Sequence, residues 1–196
     1  NDIYGTDRTI GYDTALNTVV EVIDKIRDTA SSHNRLFFIE VMGRDAGFIA
    51  LNAGIGAGAE EILIPEKNLG LDRLVESLKT SKEKGKTSSI VVVSEGDKIG
   101  KNVFELGDHI KEIFPDYDIR VSVLGHMQRG GTPSCSDRVL ASRLGVAAVE
   151  HLLDRSSGVM VGITNNQVTT VGLNKAIKMN NDIDKELLKV AEITSV

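Results

Sequence analysis

The run Ser89–Gly96, SIVVVSEG, decides the fold because its four consecutive β-branched residues make it the most strand-like stretch of the chain. Three further apolar runs repeat the pattern, namely RLFFIEVMG at Arg35–Gly43, EILIPE at Glu61–Glu66 and IRVSVLG at Ile119–Gly125. Each of these runs is followed by a segment with helical character. Continuous apolar runs that alternate with helices predict a parallel sheet buried on both faces.

The helical segments have recognisable apolar spacing. Residues 13–30 and 71–86 predict amphipathic helices, residues 102–114 and 136–154 predict two further helices, and residues 47–61 are small and apolar enough for a tightly packed helix. Residues 159–164 and 166–172 predict two more strands, and the tail from Asp182 predicts a last helix. The fold class that follows is α/β, with parallel sheets covered by helices on both faces.

Composition limits the classes of function. The chain has 196 residues, of which 41% are hydrophobic, so it can bury a core as one large domain or two small ones. A net charge of −5 argues against sequence-independent nucleic-acid binding, so any basic site has to be a local cluster. The single cysteine, Cys135, excludes an internal disulfide and favours a reducing cytoplasm. No apolar run approaches the roughly 20 residues of a membrane span, so we expect no membrane partner.

Candidate functional residues follow the strands. In open parallel sheets, ligands bind beyond the carboxyl ends of the strands. Three segments lie there, namely Met42–Arg44, Glu95–Gly96 and Gly125–Gly131. We therefore expect these segments to contribute to one site.

The stretch Val123–Arg138, VLGHMQRGGTPSCSDR, has the residues that an anion needs. Arg129 offers a planar fork for phosphate oxygens, and His126 can donate from its ring nitrogens. The glycines that follow let backbone N–H groups approach an anion, and a helix begins just beyond them. The alternative is a turn with a solvated arginine and a packed histidine.

Arg44 and Glu95 are further candidates. A guanidinium at the end of a strand can stabilise charge that develops on a transferring phosphoryl group, although Arg44 could instead form a surface ion pair with Asp45 or Glu40. Glu95 can accept hydrogen bonds from sugar hydroxyls or can simply cap a turn.

Two other motifs favour structural interpretations. Ala53–Glu60, AGIGAGAE, follows no strand and has the wrong spacing for a dinucleotide fingerprint, so close helix packing is the better interpretation. Lys82–Lys86, KEKGK, is by itself typical of a solvated helix end.

Taken in order, the segments resemble the later part of 6-phosphofructokinases of the bacterial ATP-dependent type. The matching stretches are NDIYGTDRTIGYDTA, SSHNR, EVMGRDAG, EILIPE, VVSEG, VLGHMQRGGTPSCSDRVLASRLG and VGITNNQ. The most specific of them is GHMQRGG with MGR upstream. The resemblance implies transfer of a phosphoryl group from Mg-ATP to the 1-hydroxyl of fructose 6-phosphate, which gives fructose 1,6-bisphosphate in glycolysis. It also implies a cytoplasmic homo-oligomer, with a tetramer expected.

The resemblance assigns roles to the candidates. His126 and Arg129 match residues that hold the sugar 6-phosphate. Arg35 and Arg120 match two more arginines at that phosphate, which a neighbouring subunit contributes in the family. Met42, Gly43 and Glu95 match residues that contact the sugar. Arg44 matches the arginine that stabilises the transferring phosphoryl group.

An effector site is implied as well. Arg27, Glu60, Lys84 and Lys86 match positions that bind a nucleotide diphosphate or phosphoenolpyruvate between subunits in the bacterial enzymes. One further basic position of that site is Ser88 here, where the best-known relatives have histidine. This departure puts the regulation in doubt but not the catalysis.

The beginning of the chain raises a further expectation. The family motif is Thr-Ile-Asp-Asn-Asp, in which the first aspartate is the catalytic base. Asn1 and Asp2 match its last two residues, so the catalytic base would lie one residue before Asn1. Asp2 matches the second aspartate, at the reacting centre near the metal and the sugar. We therefore expect the chain to be one segment of a longer protein. Residues 12–127 with 179–196 would form a sugar-phosphate domain, and residues 1–11 with 128–178 would belong to an incomplete ATP-binding domain.

Two other functions remain open from the sequence. One is a pyrophosphate-dependent relative, because the residues that select the donor would lie upstream. The other is a non-catalytic module that binds a sugar phosphate and regulates another protein.

Overall fold

The computed structural model describes residues 2–29, 35–67, 69–86 and 88–194. The chain divides into two compact units. The larger unit comprises Leu16–Gln128 and Ile183–Val196, and the smaller comprises Asn1–Ala15 and Arg129–Asp182. The predicted end of the first helix at Ala30 and the first four residues of the SSHNR motif lie outside the described residues.

The elements follow the predicted order. The helices are α1 (Tyr12–Asp28), α2 (Phe48–Gly56), α3 (Leu71–Glu83), α4 (Val103–Ile113), α5 (Cys135–Leu153), α6 (Leu173–Ala176) and α7 (Lys185–Thr194). The strands are β1 (Arg35–Val41), β2 (Glu61–Leu63), β3 (Ser88–Ser94), β4 (Asp118–Val123), β5 (Val159–Thr164) and β6 (Gln167–Gly172). A 3₁₀ turn at Gly125–Arg129 follows β4. Of these elements, the short helix α6 has no counterpart among the segments predicted from the sequence.

The larger unit is built on a four-stranded sheet in the order β2-β3-β1-β4. All three pairs of neighbouring strands are parallel, with Phe37 of β1 opposite Ile90 of β3 and Arg120 of β4. Parallel pairing of the apolar runs confirms the predicted α/β class. Because the strands are parallel, their carboxyl ends share one edge, which we call the carboxyl edge.

Side chains on both faces of this sheet are buried, as the continuous apolar runs predict. Alternate residues of a strand point to opposite faces. Leu36 and Phe38 of β1 belong to a core that also contains residues of α3 and α4. Phe37 and Ile39 point to the opposite face and are 5% and 0% exposed. Helix α2 packs beside β2 and β3, so helices cover the sheet.

Small residues let α2 approach its neighbours. A Cβ atom on Gly54 would lie 2.6 Å from a side-chain carbon of Ile62 in β2. The glycine-rich segment Ala53–Glu60 therefore serves close packing, as the sequence indicated.

The smaller unit contains an antiparallel hairpin rather than more parallel sheet. Strands β5 and β6 pair antiparallel, with Thr164 opposite Gln167. The two turn residues, Asn165 and Asn166, have φ angles of 50° and 61°. Asparagine tolerates this left-handed conformation, and two such residues form the turn that suits a two-residue hairpin. The expectation of parallel sheets therefore holds for the first sheet only.

One buried carboxylate fastens the starts of α1 and α5 within the smaller unit. Asp137 is 3% exposed and accepts a hydrogen bond from the backbone N–H of Thr14 at 2.8 Å and another from the Thr14 hydroxyl. Burial works to raise the pKa of Asp137, but the bonds that Thr14 and Gly11 donate outweigh it and hold this pKa below its usual value. An anion at two helix N-termini is favourable, because the helix dipoles point their positive ends toward it.

Among the described residues, no helix combines the length and the apolar character that a membrane crossing requires.

Candidate functional site

The loop Met42–Arg44 at the end of β1 is held by two side chains. Glu95, just after β3, accepts the backbone N–H of Gly43 at 3.2 Å and that of Arg44 at 2.7 Å, both through Oε1. Gln128, in the turn after β4, accepts the backbone N–H of Met42 at 3.2 Å. Three neighbouring strands thus bring their following segments together at the carboxyl edge, as the sequence predicted.

The backbone of Arg44 is held within this loop, whereas its side chain projects from it. Its φ of 53° lies in the left-handed region, which a residue with a Cβ adopts only at a cost. The side chain is exposed, and within the described part of the chain its guanidinium forms no ion pair within 4.0 Å. The alternative of a surface ion pair with Asp45 or Glu40 is therefore wrong. A cationic group in this state is available to an incoming anion.

Two glycines make room for the loop. A Cβ atom on Gly43 would lie 2.1 Å from the carbonyl oxygen of Ala46, and one on Gly96 would lie 1.8 Å from the carbonyl oxygen of Arg44. Real Cβ atoms do not approach so closely, because the hard-sphere repulsion is too large. Glycine is therefore required at both positions.

Two carboxylates give this edge a local negative field. Burial, and after it the negative charge of Glu95, raise the pKa of Glu40 above its usual value. Glu95 has one oxygen engaged by the loop. Its other oxygen forms no hydrogen bond among the described residues, so it can still accept one from a hydroxyl group. The interpretation of Glu95 as a turn cap is confirmed, and its contact with a sugar stays a prediction.

His126 and Arg129 both stand on the turn Gly125–Arg129. The turn is joined to β1 because the backbone N–H of Leu124 donates to the carbonyl of Glu40 at 3.0 Å. Both side chains are exposed, so the alternative of a packed histidine is wrong. Beyond them, Gly131 has a φ of 93°, a conformation that glycine adopts without strain. This arrangement can present ring and guanidinium donors to a phosphate.

Arg35 and Arg120 both pair with Asp118, the first residue of β4, although Arg120 is itself the third residue of that strand. Arg35 is the first residue of β1, whereas the Met42 loop follows its last residue, so at about 3.3 Å per residue roughly 23 Å separates the two ends. Arg35 Nε lies 3.4 Å from Asp118 Oδ2, and Arg120 Nη2 lies 3.2 Å from the same carboxylate. Within one chain, the predicted phosphate-binding set is therefore divided between residues that pair with Asp118 and residues on the turn after β4.

Three of the predicted effector residues, Arg27, Glu60 and Lys86, are linked to the segment that follows α2. Arg27 donates to the carbonyls of Ala57 and Gly58, the second at 3.2 Å. Glu60 accepts the backbone N–H of Ile90 at 2.5 Å and lies 3.5 Å from Lys86 Nζ. Lys84 caps the end of α3.

Asp2 belongs to the smaller unit, where its carbonyl accepts the backbone N–H of Asn181 at 3.0 Å. Among the described residues, no three histidine, cysteine, aspartate or glutamate side chains come together in a way that could hold a metal ion. Mg²⁺ commonly takes only one or two carboxylates and completes its shell with phosphate oxygens and water. The Asp2 carboxylate fits such a site as a single ligand.

Gln128 is the residue at this edge to which the sequence assigned no role. It is 2% exposed, and its Nε2 donates to the carbonyl of Gly125 at 3.0 Å. A glutamine inside a glycine-containing turn gives no sign in the sequence that its side chain is buried, because its partner Met42 is 86 residues away. Only the parallel strand order brings the two together.

Comparison with known proteins identifies the relatives of the chain. A family model described as phosphofructokinase matches residues 1–152. The ATP-dependent 6-phosphofructokinase 2 of Bacteroides thetaiotaomicron and the ATP-dependent 6-phosphofructokinase of Listeria welshimeri are each 50% identical to the chain over 196 residues. These matches cover 100% of this chain and 60% of each relative.

Solved structures of phosphofructokinases also match the fold of this chain. Phosphofructokinase from Saccharomyces cerevisiae superposes with a TM-score of 0.81 at 33% identity, covering 99% of this chain and 26% of that one. A pyrophosphate-dependent phosphofructokinase from Marinobacter aquaeolei has a TM-score of 0.77 at 22% identity, covering 100% of this chain and 58% of that one, and it supports the fold alone. The chain thus spans about 60% of the length of the curated relatives, and it belongs to the phosphofructokinase family.

Proposed function

We propose that the protein transfers a phosphoryl group from ATP to the 1-hydroxyl of fructose 6-phosphate, and that this chain contains the fructose 6-phosphate site. The observation that carries the proposal is the Met42–Arg44 loop, which Glu95 and Gln128 hold by three backbone N–H groups while the Arg44 guanidinium stays exposed. Because Glu95 and Gln128 hold the backbone of this loop in advance, the Arg44 guanidinium can reach a phosphoryl group and stabilise charge that develops during transfer.

The residues divide the work by their chemistry. Arg129 and His126 bind the 6-phosphate, and Met42, Gly43 and Glu95 contact the sugar. Together these contacts orient the 1-hydroxyl toward the donor, which converts a bimolecular encounter into a positioned one.

Arg44 then stabilises the negative charge on the phosphoryl group in the transition state of transfer. Mg²⁺, held in part by the Asp2 carboxylate, would neutralise charge on the phosphates of ATP when it is bound.

The position of Arg35 and Arg120 supports a site shared between subunits. Both guanidinium groups pair with Asp118 at the beginning of β4, whereas His126 follows the end of that strand, so in this conformation they do not face the same phosphate as His126. We infer that they reach the 6-phosphate of a neighbouring copy in a homo-oligomer, with a tetramer expected. Within one chain, Asp118 forms ion pairs with both side chains.

An anionic effector is the second proposed ligand of the larger unit. Arg27 and Lys86 supply positive charge around the Ala57–Glu60 turn, and we propose that Lys84, at the end of α3, adds to it; such a set suits a nucleotide diphosphate or phosphoenolpyruvate. Ser88 adds no charge there, so we propose weaker anion binding than a histidine would give.

We further propose that the larger unit is the sugar-phosphate domain and that the smaller belongs to the ATP-binding domain. A cytoplasmic location accords with Cys135, which is exposed and unpaired.

The donor is tested by giving the natural full-length protein fructose 6-phosphate with either Mg-ATP or Mg-pyrophosphate and measuring fructose 1,6-bisphosphate. Product from ATP alone supports the proposal, which the two curated relatives named ATP-dependent favour. Product from pyrophosphate alone would replace ATP as the donor. If neither donor gives product but fructose 6-phosphate still binds, a non-catalytic sugar-phosphate module becomes the better account.

A further inference from the structure

A single buried amide joins the segment that we assign to phosphate binding with the one that we assign to phosphoryl transfer. Gln128 Nε2 donates to the carbonyl of Gly125 at 3.0 Å, inside the turn Gly125–Arg129. Gln128 Oε1 accepts the backbone N–H of Met42 at 3.2 Å, at the start of the loop Met42–Arg44. The amide group is planar and rigid. If one segment is displaced, the other must therefore move with it, or one of the two hydrogen bonds breaks.

Burial makes these two bonds costly to lose. Gln128 is 2% exposed, so water does not readily replace a missing partner. Removing the amide would leave the partly buried Met42 N–H and Gly125 carbonyl without their protein partner, which costs free energy where water replaces that partner only in part.

The loop depends on such side-chain support. The N–H groups of Gly43 and Arg44 are both held by one oxygen of Glu95, and Arg44 has a left-handed φ of 53°. A conformation of this kind persists only where its surroundings impose it. Gln128 holds the first residue of the loop, and Glu95 holds the second and third.

We propose that Gln128 is a positioning residue that couples the turn Gly125–Arg129 to the loop Met42–Arg44, so that the place of the sugar phosphate and the place of the Arg44 guanidinium are set together. The coupling rests on the proposed function. Gln128 lies between His126 and Arg129 in sequence, and therefore a phosphate bound by these two residues fixes the turn to which the amide is attached.

The test is Gln128→Met in the natural full-length protein, because methionine has a similar length but no donor and only a weak acceptor. We expect kcat for fructose 6-phosphate phosphorylation to fall about ten- to a hundredfold, the loss that a displacement of about 1 Å can cause, and KM for fructose 6-phosphate to rise severalfold. Hydrogen exchange should accelerate at the amide of Met42 and stay unchanged at that of Phe38 in β1. The matched control is Gln167→Met, at an exposed position of β6, which should change none of these quantities.

A second variant separates the two ends of the amide and serves also if Gln128→Met does not fold. Gln128→Glu keeps an acceptor for Met42 and loses the donor to Gly125. It should preserve the protection of the Met42 amide and most of kcat while raising KM, to which its added negative charge also contributes.

The outcomes are distinguishable. An active wild type whose Gln128→Met variant keeps kcat and KM within twofold would overturn the coupling and leave the proposed function standing. A large loss of kcat in Gln128→Glu while the Met42 amide stays protected would also overturn the coupling. A wild type that does not phosphorylate fructose 6-phosphate would overturn both proposals.

Discussion

Gly96→Ala probes the Arg44 loop most sharply, because the methyl group meets backbone rather than a flexible side chain. The added Cβ would lie 1.8 Å from the carbonyl oxygen of Arg44 and 2.9 Å from its carbonyl carbon. Ordinary contact needs about 3.4 Å or more, so the loop has to move by roughly 1.5 Å. A displacement of about 1 Å in a group that acts in the transition state can cost about a hundredfold in rate. Overpacking of this kind also costs about 1–3 kcal/mol of stability.

The assay is steady-state phosphorylation of fructose 6-phosphate by the natural full-length protein, with kcat and KM determined separately. We expect kcat to fall by about a hundredfold in Gly96→Ala. The matched control is Gly145→Ala in α5, where nothing lies within 4 Å of the added Cβ and alanine favours the helix by about 0.5–1 kcal/mol. If Gly96→Ala retains kcat within twofold of the wild type, the geometry assigned to the Arg44 loop is wrong.

Two further predictions concern the buried carboxylate and the shared site. Because the pKa of Asp137 is held below 3.8, its stabilising effect is present above that pH and is lost as the pH falls through the lowered pKa. Asp137→Asn should therefore lower the free energy of unfolding at pH 7 by about 2 kcal/mol, and the difference from the wild type should disappear in acid. Equal stability of the variant and the wild type at pH 7 would contradict this. The control is Asp182→Asn, at an exposed position. For the shared site, mixing Arg35→Ala subunits with Arg129→Ala subunits should restore activity at low fructose 6-phosphate concentrations, where the raised KM leaves each variant alone with little, because some mixed sites contain no substitution. No recovery in mixed oligomers would place Arg35 outside the neighbour's site.

The sequence predicts the larger unit well because its signal is local. Four consecutive β-branched residues at Ile90–Val93 require burial on both faces, and a parallel sheet supplies it. Strand direction then places Gly43 and Glu95 at one edge, where the structure confirms that they lie close together. The same reasoning would have placed Arg35 at the other edge, because it begins the strand that Met42 follows.

The residues that the sequence did not reveal depend on contacts between distant segments. Gln128 has an unremarkable place in a turn, and its importance comes from Met42, which only the strand order brings within reach. The antiparallel hairpin was missed for a different reason. Asn165 and Asn166 have the residue type that a two-residue turn needs, and that local signal was available but was not used.

The most direct test of the central claim is to compare Arg44→Ala with Arg129→Ala in the natural full-length protein, measuring kcat and KM for fructose 6-phosphate. If Arg44 stabilises the transferring phosphoryl group and Arg129 binds the 6-phosphate, Arg44→Ala lowers kcat more than it raises KM, and Arg129→Ala chiefly raises KM. A pure KM effect for Arg44→Ala, or an unchanged KM for Arg129→Ala, would contradict the assignment of this chain as the fructose 6-phosphate site of a phosphofructokinase.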